Sequence, residues 1–167
     1  MSKWSGYFQY EHLSQPDWYG NRFLLGEGST QNNLADEGEF NVLDTYLRAT
    51  NTPSSFFLRI FNDTPVDTDS LASLAGEPGF SVGYAPQTVN RDATANGWPT
   101  LGFSGGNAQA SSRQVTFDFT GTATVTYAVL ATTSDNSGRH ISYASLSSSK
   151  TLASGEQLRI TYRPSLS

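Results

Sequence analysis

Gln114-Val115-Thr116-Phe117-Asp118-Phe119, Ala123-Thr124-Val125-Thr126-Tyr127-Ala128-Val129, His140-Ile141-Ser142-Tyr143-Ala144 and Gln157-Leu158-Arg159-Ile160-Thr161-Tyr162 follow one another in the last third of the chain. Each run alternates apolar with small polar residues. Successive side chains of a strand point to opposite faces, so the pattern reads as four strands with one apolar face each. Val115, Phe117, Phe119, Val125, Tyr127, Val129, Ile141, Tyr143, Leu158, Ile160 and Tyr162 share that face, and Thr, Ser and Arg take the other. A four-strand antiparallel meander is the expected arrangement. Thr120-Gly121 reads as a tight hairpin, Asp135-Asn136-Ser137-Gly138 as a longer one, and Ala153-Ser154-Gly155 as a bend into the last strand. A sheet with one wet face must bury the other. The polar face carries hydroxyls rather than acids, histidines or thiols, which suits a building block more than a catalyst.

Upstream, Ser55-Phe56-Phe57-Leu58-Arg59-Ile60-Phe61 is too apolar for a solvated face and reads as a central strand. Gly79 to Val89 alternates but contains Pro86, which cannot donate to a ladder, so it belongs at an edge. Thr100 to Phe103 is a weak strand between turn signals. Phe40, Val42, Leu43, Tyr46 and Leu47 have helical spacing, with Glu39 or Asn41 as cap and Asp44 in the first turn. The fold expected is mainly β: an antiparallel β-sandwich of about six to eight strands with one short α-helix.

Residues 1–35 are different. Trp4, Tyr7, Phe8, Tyr10, Trp18, Tyr19 and Phe23 lie among Gly, Ser, Asn and Gln without steady period. So aromatic a segment is a poor candidate for disorder. It reads as an N-terminal arm lying across an apolar surface, either on its own domain or on a neighbouring subunit. In the second case Trp4, Tyr7, Phe8, Tyr10, Trp18 and Tyr19 are the interface anchors. Residues 36–167 then form the single sandwich domain.

Composition narrows the function. A chain of 167 residues buries roughly two thirds of its unfolded surface, enough for one core without staples. With no Cys, disulfides and thiolate metal sites are excluded. Charged residues are only 15% and aromatics 13%, which suits a surface partly covered by neighbours. Charge is uneven: 11 acids face 4 Lys/Arg up to Phe80, and 4 acids face 6 Lys/Arg afterwards. That asymmetry is either plain surface solvation or the mark of copies packing head to tail. No Lys/Arg cluster interleaves with aromatics, so direct nucleic-acid binding is not expected. No stretch has the length of a membrane span or the h-region of a secretory signal, so no membrane partner and a soluble, cytoplasmically made protein are expected.

The chemistry-bearing residues do not converge in the sequence. His12 and His140 sit in unrelated contexts, and His140 at a strand start reads as a solvent-face residue. Asp63, Asp67 and Asp69 put three carboxylates within seven residues, the oxygen-rich kind of loop calcium favours, but without the Gly and terminal Glu of an EF-hand. They serve equally as turn and cap residues. Glu37, Glu39 and Asp44 are acids without the fixed opposition that glycoside hydrolysis needs. Gly26-Glu27-Gly28-Ser29-Thr30 lacks the Lys and spacing of a phosphate loop and reads as a turn. No catalytic residue, metal ligand or cofactor site is assigned.

Asn41-Val42-Leu43-Asp44-Thr45-Tyr46-Leu47-Arg48, the strand 55–61, Gly83-Tyr84-Ala85-Pro86-Gln87-Thr88-Val89, the run from Val115 to Leu130 and the closing Ser145-to-Tyr162 segment with its Lys150-Thr151 and Ser154-Gly155 carry a resemblance. In that order, over about residues 40–164, they resemble small virion proteins of tailed bacteriophages, tail-fibre-like or capsid-decoration in kind. The resemblance implies a non-enzymatic structural protein of the virion, assembled in the host cytoplasm. Its implied partners are the major capsid protein or other virion proteins, and copies of itself. A capsid cement that stabilises the head is the first expectation. A tail fibre, baseplate or neck component is the second, in which Tyr84, Trp98 or the loop 134–139 would contact host glycans. A carbohydrate-active enzyme is a remote third.

Overall fold

The computed structural model describes residues 4–166. Among them, eleven strands form two antiparallel sheets, with a single α-helix between the third and fourth strands. The first sheet is built from β1 (Trp4–Leu13), β2 (Leu24–Gln31), β6 (Thr100–Ser104), β7 (Asn107–Ser111), β8 (Val115–Asp118) and β11 (Gln157–Leu166). Its order is β2-β1-β11-β7-β6, with β8 also on β11. The second holds β3 (Asn33–Leu34), β4 (Ser55–Phe61), β5 (Gln87–Asn90), β9 (Ala123–Ala131) and β10 (His140–Leu152), in the order β3-β10-β9-β4-β5. The strand 55–61 is interior and the segment after Pro86 is an edge, as the sequence predicts. The strand count exceeds the expected six to eight because the segment before residue 36 supplies β1, β2 and β3.

That segment is not an arm laid over a finished domain. β1 lies between β2 and β11 and pairs with β11 in register from Trp4↔Leu166 to Leu13↔Gln157. Burial alternates along it, placing Phe8 and Tyr10 in the core beside Val115, Phe117, Leu158, Ile160 and Tyr162. The irregular look of residues 1–35 arises because strand, loop and strand follow within a short span. Residues 1–3 of the expected arm lie outside the described residues.

The four C-terminal runs are strands, but they do not form a meander. β9 pairs with β10 in the second sheet, whereas β8 pairs with β11 in the first. Thr120-Gly121 therefore carries the chain from one sheet to the other, and the 153–155 bend carries it back. Both β8 and β9 bury an apolar face, and facing each other across the core satisfies that need as well as lying side by side would.

Nor do the eleven alternating residues share a face. Val115, Phe117, Phe119, Val125, Ile141, Leu158, Ile160 and Tyr162 enter the main core. Tyr127, Val129 and Tyr143 point to the outer face of the second sheet, against Ala35, Phe61, Leu71 and Leu74. Register shifts in the β9–β10 pair, between His140 and Ser142 and between Ser145 and Lys150, reverse the phase. The outer face is thus a second apolar layer, roofed by Leu71 and Leu74 of the segment between β4 and β5.

The helix α1 (Asp36–Arg48) begins earlier than the spacing suggests, with Asp36, Glu37 and Glu39 in its first turn, where acids favour the helix dipole. Its cap residue, Ala35, makes no side-chain cap bond, so neither Glu39 nor Asn41 caps it. Gly38 lets α1 approach β10: a Cβ there would lie 2.0 Å from the Ile141 carbonyl oxygen. On helix propensity alone Gly38→Ala stabilises by about 1 kcal/mol. Because the backbone of β10 blocks the methyl, the expected outcome is the reverse, a loss of about 1–3 kcal/mol in urea unfolding.

Candidate functional site

The face that α1 turns to solvent is its apolar one. Phe40, Leu43, Tyr46 and Leu47 are exposed, Tyr46 at 85%, while Gly38, Asn41 and Asp44 are buried. This inversion is held in place by hydrogen bonds. Asp44 accepts from Thr50 Oγ1 at 2.6 Å and Asn51 Nδ2 at 2.6 Å, and pairs with Arg48 at 3.2 Å and Arg139 at 3.7 Å. The Thr50 and Asn51 bonds, more than the two guanidinium groups, hold its carboxyl below the usual range. Arg139 also stacks over the Phe40 ring at 4.5 Å. Glu37 Oε2 accepts from the backbone N–H groups of His140 at 2.7 Å and Leu71 at 3.0 Å. Glu37 and Asp44 are therefore structural acceptors, and they do not face each other across a cleft.

The six expected anchors separate into three groups. Phe8 and Tyr10 are core residues: Phe8 stacks on Tyr162 at 4.5 Å and Tyr10 shares a hydrogen bond with Ser147. Burial inside their own domain removes them from any interface. Trp4 and Tyr7 are half-buried, Tyr7 under the Arg163 guanidinium at 5.9 Å. Trp18 and Tyr19 are 95% and 86% exposed on the loop between β1 and β2.

That loop is tightly built. The Asp17 carboxylate accepts from the backbone N–H groups of Tyr19 and Asn21, each at 2.8 Å, and from Asn21 Nδ2 at 3.3 Å. These bonds, the Asn21 backbone first, lower the Asp17 pKa. Gly20 takes φ +83°, a left-handed turn open to glycine at no steric cost. Arg22 clamps the base, donating to the carbonyls of Ser14 at 2.7 Å and Gly155 at 2.6 Å.

Of the two expected glycan contacts, Tyr84 is 2% exposed and donates its hydroxyl to Glu77 Oε1 at 2.6 Å, so it presents no face to a sugar. Its phenol pKa is pushed up by burial and by the Glu77 carboxylate. Trp98 is half-buried, edge-on to Phe56 and Tyr162. It lines a cavity of about 320 Å³ whose floor is Leu130, Ile141 and Tyr162.

Tyr84 belongs to a polar knot that alternation does not reveal. Arg59, 1% exposed, donates to both carboxylate oxygens of Glu77 at 2.8 and 2.5 Å, to the Asp135 carbonyl at 2.7 Å and to Asn136 Oδ1 at 2.8 Å. The knot ties β4 to the segments around residues 77–84 and 135–136, the second within the loop proposed for glycan contact. The signal was present in sequence as an Arg inside an otherwise apolar strand, since buried charges are paired.

His140 is fully buried rather than solvated, because it lies beside Tyr143 on the outer face of the second sheet, where the segment carrying Asp67 and Asp69 covers it. Burial lowers its pKa, against the opposing influence of the Asp69 backbone and of Glu37, Asp69 and Asp67. Asp63 accepts from the N–H groups of Thr64 and Ala75, Asp69 from that of Val66, and Asp67 from the Tyr143 hydroxyl. These three acids serve as turn and packing acceptors. Among the described residues no group of three or more His, Cys, Asp or Glu is placed to hold a metal ion.

The α1 face, the aromatic loop and the cavity are thus apolar features at the surface, beside the exposed Leu101 and Phe103 of β6. A family model described as "Podophage GP4 fiber I protein gp80" matches residues 33–163. The chain belongs to this family of phage virion proteins. The matched span runs from β3 into β11 and contains α1, Arg59 and Trp98; the β1–β2 hairpin precedes it. No curated protein matches the chain.

Two outcomes follow from the buried ionisable groups. Glu77→Ala leaves the Arg59 charge buried without its carboxylate, and a loss of about 3–5 kcal/mol is expected in urea unfolding. For His140, the folded pKa lies below the unfolded value of 6.5, so the unfolded chain takes up the proton first as pH falls. Its contribution is complete above pH 6.5 and declines below it; His140→Leu should flatten the fall in urea midpoint between pH 7 and 5.

Proposed function

We propose that this chain is a fibre-type structural subunit of a podophage tail, and that it works by adhesion to other virion proteins rather than by catalysis. The observation that carries the reading is α1, which lies in the family-matched span and spends its buried face on Gly38, Asn41 and Asp44 while leaving Phe40, Leu43, Tyr46 and Leu47 outside. An isolated domain gains nothing from that arrangement. A subunit that seats this face on a neighbouring virion protein removes the apolar area from water at a rate of about 25 cal/mol per Å². The family description favours the fibre over the capsid cement. Glu37 and Asp44 tied up in structural hydrogen bonds weigh against the carbohydrate-active enzyme.

Location on the particle and the role of α1 are separable by experiment. Antibody labelling with copy counting on purified virions should place the chain on the tail in a handful of copies; decoration of the head in hundreds of copies would return the cement reading. Leu43→Glu with Leu47→Glu alters exposed positions only, so the variant should melt within a few degrees of wild type yet fail to enter virions during complementation of a deletion phage. Normal incorporation would remove α1 as the docking face.

A further inference from the structure

Strand β1 runs the length of the sandwich, about 30 Å for its ten residues, and it separates two features that match. At its far end the rigid loop 14–23 projects Trp18 and Tyr19. At its near end Trp4 borders the apolar cavity. We propose that these are the two halves of one joint: copies of this chain associate head to tail, with Trp18 of one copy seated between Trp4, Phe56 and Trp98 of the next. This goes beyond the fibre reading and holds whichever part of the virion the protein occupies.

The cavity asks for an apolar occupant. Its floor residues Leu130, Ile141 and Tyr162 belong to the main core, so the opening at this pole is backed directly by apolar core side chains. Its volume of about 320 Å³ lies at the lower limit for small-ligand sites, the scale of a single large side chain. The walls are mainly apolar, led by Trp4, Phe56 and Trp98, with Asn41 and Thr45 of α1 among them and the exposed Arg91 at the mouth. Aromatic walls receive an indole ring edge-on, as Trp98 already meets Phe56 and Tyr162.

The projection is equally specific. Five hydrogen bonds around Asp17 and Arg22 fix the loop before any partner arrives, so little conformational entropy is lost when Trp18 docks. The charges agree: the Asp17 carboxylate sits beside Trp18, and Arg91 at the cavity mouth makes no ion pair among the described residues. A second copy is the occupant because the projection and the cavity lie at opposite poles of one chain, beyond mutual reach. The contact is then heterologous, and it propagates into a filament or closes into a ring rather than stopping at a two-fold dimer.

The test is sedimentation velocity on the full chain over a concentration series, with two complementary variants. Wild type should grow past the dimer or settle into a closed ring. Trp18→Ala removes the projection and should weaken association about 30-fold or more, the loss expected of a buried tryptophan anchor. Ala110→Phe fills the cavity from β7 and should have the same effect; if it melts early, Thr45→Phe fills the space from α1 instead. Mixed together, Trp18→Ala and the cavity-filled variant retain one intact cavity and one intact projection, and they should form a one-to-one dimer that grows no further. The proposal is overturned if wild type stays monomeric up to its solubility limit, if Trp18→Ala assembles as wild type does, or if the mixture gives no dimer.

Discussion

The stacking of Phe8 on Tyr162, with ring centroids 4.5 Å apart, is where the two ends of the chain are locked together. It sits midway along the β1–β11 ladder, and both rings are fully buried between the sheets. A ladder joining residues so distant in sequence is costly to close and strongly cooperative once closed. Without β1, strand β11 keeps only β7 and β8, β2 has nothing to pair with, and the main core loses Phe8 and Tyr10. The family-matched span begins at Asn33, yet the first sheet is incomplete without the residues before it.

That same strand gives the molecule its two ends. Because β1 spans the ladder from Trp4↔Leu166 to Leu13↔Gln157, the loop at its C-terminal end and the cavity beside its N-terminal residue lie at opposite poles. The sandwich is a spacer that holds an aromatic projection and an aromatic-walled opening apart in a fixed relation. The β9–β10 bulges matter for a similar reason. They turn Tyr127, Val129 and Tyr143 outward, which creates the second apolar layer beneath Leu71 and Leu74.

Buried polarity organises what the apolar layers leave loose. Arg59 enters an interior strand because Glu77, Asn136 and the Asp135 carbonyl meet its guanidinium, so two irregular segments are held by one side chain. Asp44 does the same for the end of α1. In both cases long non-regular connections become ordered without disulfides, which the chain lacks. The helix pays for its orientation in exposed Leu, Phe and Tyr, a cost that makes sense for a subunit destined to be covered.

By itself the sequence determined the class of the fold and most of its strands, because alternation is a local property of the chain and is read without knowing any partner. It showed an interior strand at 55–61, an edge after Pro86 and a helix near residue 40, and its low charge and many aromatics pointed to a covered surface. Pairing was decided only by the tertiary structure: β8 next to β11 and β9 next to β10 bury the same residues as a meander would, so the pattern is silent between them. A bulge is likewise invisible until a partner strand fixes the register, which is why Tyr143 fell on an unexpected face, and the covering of that face by a later segment buried His140. The direction α1 faces was also set from outside, since apolar spacing reveals a stripe but not whether the stripe meets this molecule's core or another molecule. Trp18 and Phe8 look alike in the sequence; only the ladder, by passing through one and turning back before the other, made the first a projection and the second a core residue.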